Sequence, residues 1–219
     1  LTGMGNASPL IKGPYLSLSR AFMVGSDLEE LAKDGIVHPR LPRLGEYPRM
    51  FMHQDKALRA ILDGKHTLIS TGTGSGKTES FLYPILDHCL RLNEQSAKEG
   101  ISAIIVYPMN ALAIDQRNRL RELLAGSGIS FGLYIGSTAA TSRQGADILR
   151  MHNGDTRNDY HQLRDKNNTA QIIPVEERSS EEEIRKNPPR ILLTNVKQLE
   201  LLMTRPNDIG LFIESALRF

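Results

Sequence analysis

The decapeptide TGTGSGKTES, Thr71 to Ser80, constrains this chain more than any other stretch. It follows the short apolar run HTLIS and precedes FLYPILDHCLRL, so a glycine-rich turn stands between an expected strand and an expected helix. Such a turn aims several backbone N–H groups, and the positive end of the helix dipole, at one point, and that point suits a phosphate. Gly74 and Gly76 let the backbone come close and take conformations that a side chain forbids. Lys77 supplies a cation for the β and γ phosphates of a nucleotide, and the Thr78 hydroxyl can ligate Mg2+. With Lys77 and Thr78 as the catalytic candidates, Thr73, Ser75 and Glu79 complete the nucleotide-binding set around the two glycines. A flexible Gly/Ser linker would not set Gly-Lys-Thr between a strand and a helix.

Strand and helix alternate on both sides of this turn. Residues 67–70 and 103–107 read as buried strands, being short, β-branched and nearly continuous. Residues 77–90 present Phe81, Leu82, Ile85, Leu86 and Cys89 at helical spacing, with Pro84 expected to kink them; residues 110–124 present Leu112, Leu120, Leu123 and Leu124. Residues 131–135 and 191–194 add two strands, the second leading into a helix with Val196, Leu199, Leu202 and Met203. The expected class is α/β, a parallel sheet flanked by helices. Residues 50–63 form a further helix with Gly64 as its stop. Residues 1–48, rich in Gly and Pro (KGPYLSLSRAF, HPRLPRLGEYPR), read as an irregular N-terminal arm with one short helix near residues 27–33, leaving 49–219 as the body. Within the body, residues 138–189 read as a polar surface excursion, mobile in part. NDYHQLRDKNNTA is its most loop-like piece, and Ser180 to Glu183 form a helix-starting capping box.

Composition excludes more than it selects. A chain of 219 residues that is 40% hydrophobic can bury the core of one sizeable domain, with or without an arm. A net charge of +2 does not announce a nucleic-acid binder. The single cysteine, Cys89, rules out an internal disulfide framework and a multi-cysteine metal site, and it sits on an expected buried helix face, which suits a reducing compartment. Because no apolar run approaches roughly 18 residues and no secretory segment opens the chain, the expectation is a cytoplasmic protein without a membrane span.

The general phosphate-loop pattern wants a glycine five positions before Gly76, where Thr71 stands, so the match is to the variant [A/T]-x-x-G-x-G-K-[S/T]. That variant resembles motif I of superfamily 2 helicases, the DExH-type (DEAD/DEAH box) proteins. FMHQ, with Gln54 placed 23 residues before Lys77, resembles their Q motif. The resemblance implies that Phe51 packs on the base and Gln54 reads the adenine edge. An amide offers the donor and acceptor that adenine N6 and N7 require and guanine does not match, which favours ATP over GTP. IIVYPMNALAIDQRNRL resembles motif Ia, implying that Pro108, Met109 and Asn110 touch a nucleic-acid backbone. Asn110, Gln116 and Arg117 can add donors there without reading a base, although Pro-Met-Asn also serves as a plain helix cap. Ser137 and Thr138, after FGLYIG, fall where a later backbone-contacting motif lies. PPRILLTNVKQLELLMTRPND resembles a stretch of large prokaryotic DExH-type helicases, implying that Thr194 and Asn195 meet phosphates. The resemblance spans residues 10–219 and points to an MrfA/YprA-like branch serving bacterial DNA repair and phage defence.

It further implies a RecA-like phosphate-loop sheet, the first of two lobes, with ATP and Mg2+ as cofactors and DNA as the tracked strand. RNA stays open, because the preference for DNA comes from the resemblance alone. The family's Asp-Glu of motif II, expected on the strand after the Thr-Asn helix, is not found; residues 216–219 (ALRF) read as the start of that strand. The second lobe with its arginine fingers is likewise missing, so these residues are expected to bind nucleotide and backbone phosphates without turnover. Two other readings stay beside this one. A kinase or GTPase would need its own acceptor site or an Asn-Lys-x-Asp tetrad, which the chain lacks. A non-enzymatic nucleotide-binding or scaffold module would need neither.

Overall fold

The computed structural model describes residues 21–141, 148–167, 170–213, 215 and 217–219. Strand β1 (Val24–Asp27) leads into helix α1 (Leu28–Lys33), whose N-cap Asp27 accepts from the Glu29 N–H at 2.8 Å. Helix α2 (Leu41–Leu44) follows, and β2 (Arg49–Phe51) pairs antiparallel with β1. Leu28, Leu31, Val37, Leu41 and Leu44 join the same buried apolar cluster as the helices beyond them. The described part of the expected arm is therefore an ordered cover on the core, while KGPYLSLSR lies outside the described residues.

Helix α3 (Met52–Leu62) is followed by Gly64 at φ 76°, a left-handed stop that glycine takes without strain. Residues 67–70, expected as a buried strand, belong to no sheet, and Leu68 is 94% exposed. A strand's backbone groups are satisfied by a neighbour, and among the described residues none runs beside this segment, so its apolar composition does not make it a strand. Helix α4 (Lys77–Glu94) runs through Pro84 without ending there. Its Cys89 is fully buried, and burial pushes the thiol up to about 12, so it is inert at neutral pH.

The remaining elements build the sheet and its covers. They are β3 (Ala103–Tyr107), α5 (Asn110–Leu124), β4 (Phe131–Tyr134), β5 (Ile148–Arg150), α6 (Arg157–Lys166), β6 (Gln171–Ile173), β7 (Glu177–Arg178), α7 (Glu181–Lys186), β8 (Ile191–Asn195), α8 (Val196–Thr204) and α9 (Pro206–Ile213). The main sheet has the order β3-β8-β4-β7, and every pair in it is parallel. Successive residues of β8 feed opposite faces: Ile191 and Leu193 pack with Ile105, Leu133 and the α3–α5 side, while Leu192 packs with Tyr134, Ile184, Leu202 and Leu211. The sheet is thus covered on both faces. On the outer edge of β3, the Ile104 N–H donates to Phe219 O at 2.9 Å, and the Arg218 and Phe219 N–H groups donate to Ser102 O.

The 138–189 segment is more built than its polarity suggests. Residues 158–166, the first nine of the piece expected to be most loop-like (158–170), lie in helix α6: Thr156 caps it, the Thr156 N–H donates back to Asp159 at 2.7 Å, and Tyr160 is buried against Ala125, Met151 and Ile172. One capping box and one buried face suffice for a short helix. Strands β5 and β6 form a parallel ribbon, β7 joins the main sheet, and Ser180 caps α7 as expected, accepting from the Glu183 N–H at 3.1 Å. The ion pair of Arg121 with Glu177, both buried, ties β7 to α5. No helix among the described residues is long and apolar enough to cross a membrane.

Candidate nucleotide and nucleic-acid sites

The glycine turn opens α4 with Gly76 as its N-cap in the left-handed region, φ 71°, and with Gly74 at φ 74°. The Thr71 and Ser75 hydroxyls share a hydrogen bond of 2.7 Å across the turn. Lys77 Nζ donates to Thr71 O at 2.9 Å and to Gly72 O at 2.6 Å, so the ammonium lies over the mouth of the loop, held by the loop's own carbonyls. A Cβ added at Gly72 or Gly74 would meet nothing within 4 Å, which leaves the approach open. Thr73 is exposed at the tip, and the Thr78 hydroxyl has no hydrogen-bond partner among the described residues. A cation held only by loop carbonyls, an uncommitted hydroxyl and an open backbone turn fit a triphosphate with Mg2+. Among the described residues no group of His, Cys, Asp or Glu could hold a metal ion, so the hydroxyl expected to meet Mg2+ stands there without a carboxylate cluster beside it.

Two expected nucleotide residues have structural duties as well. Gln54 is only 6% exposed; its Nε2 donates to Gly76 O at 2.8 Å and its Oε1 accepts from the Phe51 N–H at 2.7 Å. The amide therefore pins the start of α3 to the loop and keeps one further donor hydrogen and one lone pair for a base edge. Phe51 stacks against His53 with centroids 5.9 Å apart and lies 5.2 Å from the Phe22 ring, an aromatic group beside that amide. Glu79 is buried beneath the turn, bonded through Oε1 to Arg119 of α5, which also reaches Glu46 at 2.5 Å. Burial disfavours the charge on Arg119, but the two carboxylates outweigh it and hold the guanidinium above its ordinary pKa. Tyr83 is pushed up to about 12 by burial and by the same carboxylates. Glu79 is thus a brace between the loop helix and α5. Sequence reasoning missed Arg119 and Glu46, which stand 40 and 73 residues from their partners and leave no local signal.

The nucleic-acid candidates lie at the carboxyl ends of the parallel strands. Beyond β3, Met109 is 61% exposed and Asn110 Oδ1 accepts from Asn195 Nδ2 at 2.6 Å. Asn195 also caps α8, accepting from the Gln198 N–H at 2.7 Å, so one side chain clips two strand ends together. Thr194 does not face outward as expected: it is fully buried and its hydroxyl donates to Tyr134 O at 2.7 Å, which leaves Asn195 to present that strand end. Beyond β4, Ser137 is exposed, whereas the Thr138 hydroxyl shapes the turn by donating to Leu133 O and accepting from the Ile135 N–H. Arg117 shares a cavity with Ser137 and Thr138, while Gln116 bonds only to neighbouring Asp115.

A doubly covered parallel sheet with a glycine-lysine turn at a helix start defines a phosphate-loop nucleotide-binding protein of RecA-like architecture. The DEAD/DEAH box helicase family matches residues 51–165, more than half of the chain, and the chain belongs to that family. It is 34% identical over 158 residues to Druantia protein DruE of Escherichia coli (strain UMEA 4076-1), covering 62% of this chain and 9% of that one. It is 40% identical over 79 residues to the ATP-dependent rRNA helicase spb4 of Emericella nidulans, covering 36% of this chain and 12% of that one. The crystal structure of DUF1998 helicase MrfA bound to DNA and AMPPNP superposes over 88% of this chain and 21% of MrfA, with a TM-score of 0.54 and 21% identity. That likeness speaks for the fold. The chain spans about a tenth of the length of these curated relatives.

Proposed function

We propose that this chain is the ATP-binding part of an ATP-dependent DNA helicase or translocase, acting in bacterial DNA repair or phage defence. The left-handed Gly76 at the start of α4, with Lys77 turned onto the loop carbonyls and Thr78 uncommitted, carries the reading. ATP sits with its base against Gln54 and Phe51 and its phosphates over residues 73–78, Lys77 exchanging carbonyl oxygens for phosphate oxygens and Thr78 holding Mg2+. A nucleic-acid strand runs across the strand ends at residues 108–110, 137–138 and 195, met by backbone N–H groups and amide side chains that read no base. DNA is the preferred strand because the MrfA structure, which matches most of the chain, holds DNA, whereas the match to an rRNA helicase covers 36%.

Hydrolysis needs a carboxylate to position water and another to steady the metal. The carboxylate nearest the loop, Glu79, is engaged by Arg119, so these residues alone bind ATP without turning it over. In the full-length protein, a second RecA-like lobe completes the γ-phosphate site, and closure of the two lobes moves the strand. Titration calorimetry with a non-hydrolysable ATP analogue tests the nucleotide half. Lys77→Ala should weaken binding by roughly 10- to 100-fold, the worth of one or two charge-assisted hydrogen bonds. Equal affinity for both proteins, or a preference for the GTP analogue, would sink the reading.

A further inference from the structure

The main sheet carries four parallel strands, but the sequence motifs account for the carboxyl ends of only three. In the order β3-β8-β4-β7, the first three ends bear residues 108–110, Asn195 and residues 137–138. The fourth bears Arg178 and Ser179, from the polar segment to which the motifs give no role. Neighbouring strands stand about 4.8 Å apart, so the fourth end continues the row by one step.

A cavity of about 110 Å3 lies at that step, lined by Arg117, Ser137, Thr138, Arg178 and Ser179 among others. Arg121 and Glu177 also line it but satisfy each other: Arg121 Nη2 donates to Glu177 Oε1 at 2.8 Å and Nε faces Oε2, while the Gln171 side-chain amide, turned over, brings its oxygen to the same guanidinium as an acceptor. Arg117 has no carboxylate partner among the described residues; its Nη2 reaches only Asn118, and its Nε is buried without an acceptor. Burial and then the neighbouring Arg121 push its pKa down, with Glu177 opposing. Arg178 spends its Nη groups on Val175 O and Glu99, and its Nε too is buried without an acceptor. Two guanidiniums thus line one cavity, and each keeps an Nε–H that no acceptor takes.

We infer that the polar segment completes the nucleic-acid track, with Arg117 and Arg178 jointly binding one phosphodiester of the tracked strand in the cavity beside β7. This rests on the nucleic-acid reading above, which already gives Arg117 to the backbone, and adds Arg178, a residue no motif marks. The tracked strand is the occupant because the cavity adjoins the row of strand ends along which that strand is proposed to run, and a phosphodiester's paired oxygens can each take a charge-assisted hydrogen bond from one of the two arginines.

Fluorescence anisotropy with labelled oligothymidylate and oligouridylate, over a range of salt concentrations, tests it. Arg117→Ala and Arg178→Ala should each weaken binding about tenfold and lower the salt slope by about 0.7, the value for one single-strand phosphate. The double variant should lose no more slope than either single one, because both side chains serve the same phosphate. Arg117→Lys should keep the slope. If Arg117→Ala does not fold, Arg178→Gln, changed on an outward-bonded residue, decides alone. If the wild type binds a strand and Asn195→Ala weakens that binding, while neither arginine change moves affinity or slope, this inference falls and the functional reading survives. If the wild type binds neither oligonucleotide, both fall.

Discussion

The glycine turn and the row of strand ends both offer a surface to phosphate, but they are held in place by opposite means. The turn has no ladder partner among the described residues, so side chains hold it: Gln54 grips Gly76 O, Lys77 grips Thr71 O and Gly72 O, and Arg119 grips Glu79. The strand ends are held by backbone, since β3, β8 and β4 run in continuous parallel register from Ala103↔Ile191 to Tyr134↔Thr194. Single side-chain changes should therefore reach deep into the turn and only lightly into the row. The exception is β7, which has two register pairs with β4 and leans on a buried ion pair.

That exception predicts the largest effect. Arg121→Ala leaves Glu177 as a buried unpaired charge and should cost about 3–5 kcal/mol, read from the urea midpoint. A loss under about 1 kcal/mol would mean that backbone alone secures β7 and that the contrast with the turn is sharper than drawn. In the turn, Gly76→Ala forces a side chain into φ 71°, where a Cβ would stand 2.4 Å from Gln54 Nε2. The left-handed conformation alone costs about 1–2 kcal/mol, so Tm should drop by about 2–8 °C, with weaker nucleotide binding. An unchanged Tm would show that Gln54 is not a fixed brace.

In the row, Asn195→Ala removes the α8 cap and the clip to Asn110, and should cost only about 1 kcal/mol, with Asn195→Ser recovering most of it. A loss as large as that of Arg121→Ala would erase the distinction between the regions. The smallest effect concerns pH. His88, whose ring meets that of Phe219 at 5.5 Å, has its pKa lowered from 6.5 by burial and by Arg218, with Asp87 opposing. The unfolded chain then binds more protons as pH falls through 6.5, so this contribution to stability is present above that value and declines below it. The protection factor of the Ile104 amide, bonded to Phe219 O, should fall on acidification from about pH 7 to about pH 5, each exchange rate being taken relative to that of an unstructured amide at the same pH. No change would detach His88 from the edge of β3.

What could be read from the sequence follows the same division. Helices α4 and α5 and strands β3 and β8 were legible because periodicity and the residues that end them are local properties. Residues 67–70 misled because a strand is defined by its neighbour and not by its own β-branched residues. Helix α6 was hidden by polarity, with Tyr160 its one buried residue, although Thr156 and Asp159 spelled a capping box that could have revealed it. The glycine turn was legible as a motif, but its braces were not: Gln54 was expected to serve a base and Glu79 a nucleotide, and their bonds to Gly76 and Arg119 depend on distant segments meeting. Thr194 shows the limit of a motif, since a strand-end position does not say which way its hydroxyl points.

The ammonium of Lys77 is never idle: it is solvated in advance by two peptide oxygens, so an incoming anion exchanges ligands on it rather than neutralising a bare ion. Once Thr71 O and Gly72 O are given up, the stretch leading into the turn loses its tie to α4. Occupancy should therefore quiet the helix start and loosen the segment before it, a reciprocal change that a single nucleotide would impose through one side chain.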